Sequence, residues 1–98
     1  MPGINDKLVV KFDPRLVEKI RSIVLVFKDK GIVRAVRPMR MTDTGNLIKL
    51  TLWLERPDTL EEGEIGRYIV SVHEFEESLL RIDESVEVET EMAEFHPV

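Results

Sequence analysis

Two stretches of this chain space their apolar residues three and four apart, and each carries only one apolar stripe. In the first, Leu16, Val17, Ile20, Ile23, Val24 and Phe27 fall together while Arg15, Glu18, Lys19 and Arg21 face away. In the second, the stripe is Leu60, Ile65, Tyr68, Ile69, Val72, Phe75, Leu79 and Ile82. A helix with a single such stripe has to bury it against another element. The first helix is expected from Asp13-Pro14, where the carboxylate caps free amides and proline fits the first turn, to about Lys30, with Gly31 as the stop. The second is expected to open on Thr59-Leu-Glu-Glu62, a capping box, and to run to about Arg81 despite Gly63 and Gly66.

What those stripes cover is written at a different period. From Leu47 to Glu55, the residues Ile48, Leu50, Leu52 and Leu54 point one way, and Leu47, Lys49, Thr51, Trp53 and Glu55 the other. Ser85 to Met92 alternates as well, with Val86, Val88, Thr90 and Met92 opposite Glu87, Glu89 and Glu91. Ile32 to Met41 reads as a third strand, and Pro38 makes it an edge or an interrupted strand. Thr42 to Asn46 supplies the turn chemistry after it. The order helix, strand, strand, helix, strand predicts an α+β fold, a two-layer αββαβ sandwich of ferredoxin-like or metallochaperone-like type. Residues 1–12 are a linker or an extra strand, since Lys7-Leu-Val-Val-Lys-Phe12 would complete a βαββαβ arrangement; residues 13–95 form the domain and 96–98 a tail. With both helices on one side, the other face of the sheet is uncovered in a monomer.

Several classes of function are excluded by composition. A net charge of −5 and no clustered Lys/Arg argue against nucleic acid as a partner. Without a cysteine there is no disulfide, thiolate metal site or thiol nucleophile, so any metal must use oxygen or imidazole; a cytoplasmic setting is compatible. No window approaches the roughly 18 to 20 apolar residues of a membrane span, so no direct membrane insertion is expected. Catalysis is not expected either. No phosphate-binding glycine loop or metal-hydrolase helix motif is present, and no serine has a histidine placed beside it by sequence.

The candidate site residues follow from the faces. Three glutamates along one side of a strand repel one another, and a bound cation or a cross-strand Lys/Arg would relieve them better than solvent. His96 in Glu94-Phe-His-Pro97 could fold back towards Glu91, whereas His73 is expected to border the core of the second helix and pair with a glutamate. Trp53, the one tryptophan, falls on the open face, where an indole calls for a cover. Met39 and Met41 on the neighbouring strand would extend its apolar patch, and Phe95 near the C-terminus is a further contact. Arg34, Arg37 and Arg40 offset nearby acids or stay solvated.

The stretch from Asp13 to Glu94 resembles the cytoplasmic C-terminal domain of cation diffusion facilitator transporters. The resemblance rests on Leu16 to Val24, Gly31-Ile-Val-Arg-Ala-Val36, Gly45 to Glu55, Thr59 to Ile65 and Val86-Glu-Val-Glu-Thr-Glu91, and it is stronger in element order than in residue identity. It implies a V-shaped homodimer joined to a membrane transporter portion, at the cytoplasmic face, whose angle responds to a divalent metal ion and so regulates transport. The histidines common in that family are replaced here by Val36, Thr51, Glu64 and Glu89. A last-strand ligand pair falls on Glu89 and Glu91, an oxygen-only set that either shifts preference from zinc towards manganese or magnesium or abolishes binding, so the expected cofactor is a divalent ion (zinc, manganese or magnesium) or none. The expected metal site is therefore Glu89, Glu91 and His96, and the expected dimer interface Trp53, Met39, Met41 and Phe95. The alternative is a stand-alone ferredoxin-like module that binds a small ligand or a protein on its open face, which an ordered first strand would favour.

Overall fold

A computed structural model of the protein describes residues 6–41, 45–57 and 61–93, the side chains of Arg40 and Met41 excepted. Six main elements follow in order: β1 (Lys7–Phe12), α1 (Val17–Asp29), β2 (Val33–Met41), β3 (Leu47–Leu54), α2 (Glu62–Leu80) and β4 (Glu87–Glu91). The strands form one sheet in the order β2-β3-β1-β4, and every neighbouring pair is antiparallel. This is the ferredoxin-like α+β sandwich. Residues 7–12 are thus a strand, and an interior one: β1 lies between β3 and β4. The last strand accordingly pairs with β1 and not with β3, which moves the glutamates one strand further from Trp53 than pairing with β3 would have put them.

Why β1 goes inside is visible in its own alternation. Leu8, Val10 and Phe12 are fully buried, and they oppose Leu52, Leu50 and Ile48 across β3. Two short runs of alternating residues thereby build the floor of the core. Ile20, Val24 and Phe27 of α1 and Tyr68, Val72, Phe75 and Leu79 of α2 cover it. The Phe27 and Phe75 rings stack at a centroid distance of 4.5 Å, joining the two helices. β2 is an edge strand, as Pro38 requires, and a register shift between Val33 and Ala35 turns Val33 into the core.

The helix ends follow local chemistry, with two differences from expectation. Asp13 does cap: its side chain accepts from the Arg15 amide at 2.8 Å. That hydrogen bond, then the Arg15 guanidinium, holds the Asp13 carboxyl below its ordinary pKa. Pro14–Leu16, however, form a tight 3-10 turn before α1 proper. At the other end Gly31 adopts φ 79°, and the Ile32 amide bonds to the Phe27 carbonyl at 2.9 Å while the Gly31 amide bonds to Lys28 at 3.0 Å. This is the paired closure that a left-handed glycine allows. At α2 the capping box is replaced: the N-cap is Glu61, without a side-chain bond, and Thr59 lies outside the described residues. Glu62 and Glu64 in the first turn still suit the positive end of the helix.

Candidate functional site

The uncovered side of the sheet carries the odd-numbered residues of all four strands, Val33 excepted, and the strand register sorts them into rows. Ala35, Trp53, Lys7 and Glu91 form the first; Arg37, Thr51, Val9 and Glu89 the second; Met39, Lys49, Lys11 and Glu87 the third. Acid is therefore confined to the β4 edge, with cations on the three other strands.

β1 answers the repulsion along the glutamate ladder. Lys7 Nζ lies 3.4 Å from a Glu91 carboxylate oxygen, and Lys11 stands directly opposite Glu87. The central Glu89 faces Val9 instead. Val9, Lys11, Glu87, Val88 and Glu89 line a shallow depression there. Glu89 makes no ion pair among the described residues, and neither does Arg37 at the far end of the same row.

Trp53 is on the open face as expected. It is half-buried, with the Lys7 ammonium 5.6 Å from the ring centroid, so one lysine serves both the indole and Glu91. Met39 is 52% exposed on the same face, but Arg37, Thr51 and Lys49 intervene between it and Trp53, so the two do not form a continuous apolar patch. The Met41 side chain, Phe95 and His96 lie outside the described residues. His73 is exposed rather than at the core border; the expected pairing is present, with Nδ1 3.4 Å from a Glu76 oxygen. Among the described residues no three His, Asp or Glu side chains are grouped as a metal site.

Sequence reasoning missed a buried, fully bonded carboxylate. Asp6 is fully buried, and its carboxylate accepts four hydrogen bonds: Arg56 Nε at 2.7 Å, Tyr68 Oη at 2.8 Å, Arg56 Nη2 at 3.0 Å and the Ala93 amide at 3.1 Å. Arg56 also donates to the Ala93 carbonyl. Burial, and after it the bond to Asp6, pushes the Tyr68 phenol well above its ordinary pKa. The cluster ties the start of β1 to the segment after β3, to α2 and to the segment after β4. A buried charge so fully paired is a structural anchor. Its one sequence signal is an acid just before an alternating run and an arginine just after another, and only the strand register shows that they meet.

No protein-family model and no curated protein matches the chain. Among solved structures it is similar to the C-terminal domain of the MgtC protein from Mycobacterium tuberculosis, with 18% identity, a TM-score of 0.52, and coverage of 94% of this chain and 93% of that one. It is also similar to a conserved protein from Methanosarcina mazei Go1, with 13% identity, a TM-score of 0.45, and coverage of 93% and 94%. At 18% identity the first likeness shows a shared fold alone. It is to the MgtC protein and not to a cation diffusion facilitator, so the resemblance to that family gains no support from it. Among the described residues no helix is long and apolar enough to cross a membrane.

Proposed function

We propose that the chain is a non-catalytic regulatory domain of a cation-transport protein, working on the cytoplasmic side by association with a second copy of itself. The observation that carries this reading is the open sheet face, where a half-buried Trp53 and Val9 sit among charged residues with no layer over them. The fold supports it at a coarser level, since the MgtC match is to a domain of a larger protein. The homodimer and the link to transport come from the resemblance to cation diffusion facilitators.

Cation sensing is the finer part of the proposal. Glu89 and Glu91 would supply oxygen ligands, with His96 or a second subunit completing the set, and the ion would have to compete with Lys7 for Glu91. Calorimetric titration with zinc, manganese and magnesium tests this part. A saturable heat that disappears in Glu89→Gln and Glu91→Gln supports sensing; no saturable heat with any of the three ions removes it. Sedimentation equilibrium of the metal-free protein tests the association itself, with a concentration-dependent dimer as the expected result.

A second reading is favoured by β1. With Lys7–Phe12 inside the sheet, the domain has the complete βαββαβ set of a stand-alone ferredoxin-like module, and its open face would then bind a small ligand or another protein. A protein that stays monomeric at every concentration, with an accessible Trp53 by fluorescence quenching, favours this alternative.

A further inference from the structure

The middle row of the open face is complementary to itself in charge when reversed, and we propose that two copies pack face to face about a two-fold axis parallel to the strands, joined by reciprocal Arg37–Glu89 pairs. The inference rests on the self-association reading above and specifies its geometry.

For two identical sheets packed with their strands aligned, a two-fold axis between the stacked faces runs along the strands or across them. An axis across the strands lays β4 on β4 and brings the glutamates of one copy against those of the other. Like charges placed directly opposite cost several-fold in affinity each. An axis along the strands reverses the strand order instead, so that β4 lies over the second copy's β2 and β1 over its β3. Each cross-sheet row then meets the same row running backwards; the third row thereby sets Lys49 over the other copy's Lys11, two cation–cation contacts with Glu87 beside Lys11 in its own chain, against three acid–acid contacts along β4 alone for the other axis.

The middle row shows what that achieves. It reads Arg37, Thr51, Val9, Glu89, with a cation at one end, an acid at the other, and small side chains between. Neither of its two charged members makes an ion pair inside its own chain among the described residues, as is also true of Lys11, Lys49 and Glu87 on this face, and both are exposed. They lie three strand spacings apart, roughly 14 Å. Reversed on itself, the row sets Glu89 of each copy over Arg37 of the other, and Thr51 over Val9. Packed sheets stand about 10 Å apart, a gap that a long guanidinium arm and a glutamate bridge from opposite sides. The usual rotation of about 30° between packed sheets shifts the ends of a central row by about 4 Å, within the reach of such side chains. In the first row the same operation puts each Trp53 over the other copy's Lys7, extending the indole–ammonium contact already present within one chain.

The test uses charge reversal and sedimentation equilibrium at low salt, with far-UV circular dichroism confirming that each exposed-site variant keeps its fold. Wild-type protein is expected to dimerise, more weakly as salt rises. R37E and E89R should each weaken the dimer by about tenfold or more. An equimolar mixture of the two variants should recover dimer as the heterodimer, because both of its contacts are again complementary, and the double variant R37E/E89R should recover the homodimer. If the single variants dimerise like wild type, the face assignment is overturned while self-association stands. If they dissociate but neither the mixture nor the double variant recovers, the axis and its pairing are overturned. A wild-type protein that is monomeric throughout overturns this inference and the self-association reading together.

Discussion

Asp6 is a residue on which several distant parts of the chain converge. Its four hydrogen bonds come from three separate parts of the chain, and its principal partner Arg56 is itself only 10% exposed at the side chain. Removing one member of such a pair leaves the other buried and uncompensated. Asp6→Ala is therefore expected to lower the unfolding free energy by about 3 to 5 kcal/mol in urea denaturation. Tyr68→Phe removes one bond to the same carboxylate and should cost about 1.5 to 3 kcal/mol. The phenol adds a pH dependence. Its pKa is raised on folding, so the folded protein holds a proton that the unfolded chain releases above the ordinary value of 10.0. The stability it contributes is complete below that pH and declines as the pH rises beyond it. Urea midpoints measured from pH 8 upward should therefore show the gap between wild type and Tyr68→Phe closing on the alkaline side. An unchanged gap would mean that folding does not raise the phenol's pKa.

Among the elements, the helices differ in how well their sequences suit them. α1 ends on a glycine with φ 79° and two closing hydrogen bonds, and Gly31→Ala should cost about 1 kcal/mol because any Cβ opposes that backbone conformation. α2 contains Gly66 in ordinary helical geometry, and a Cβ built there meets nothing within 4 Å. Gly66→Ala is expected to stabilise the protein by about 0.5 to 1 kcal/mol, read as a raised Tm, since alanine loses less backbone freedom on folding. The opposite signs of these two changes follow from backbone conformation alone. Among the strands, β1 is the element whose role a linear reading understates. Its six residues are short enough to pass for a linker, yet three of them are buried completely.

For the molecule as a whole, that interior strand decides where the domain begins. β1 is hydrogen-bonded to β3 on one side and to β4 on the other, so without it the sheet separates into a hairpin and a lone strand. A fragment starting at Asp13 is expected to lack cooperative thermal unfolding and to show little ordered structure by circular dichroism. A cooperative transition in that fragment would show that the remaining elements hold a core without β1. The same insertion sets the electrostatics of the open face, because Lys7 and Lys11 arrive beside the glutamates from a strand far away in sequence.

The division between local and tertiary information is clear in particular residues. The two helical stripes, the alternation from Leu47 to Leu54, the turn at Gly31, the edge position of Pro38 and the open-face placement of Trp53 were legible from the chain, because each depends on the period of the backbone or on the geometry of one residue. The strand order, the Lys7–Glu91 pair and the burial of Asp6 were not, because each joins residues far apart in sequence whose meeting depends on which strand lies beside which. Alternation assigns a side chain to a face; only the packed sheet assigns it a neighbour.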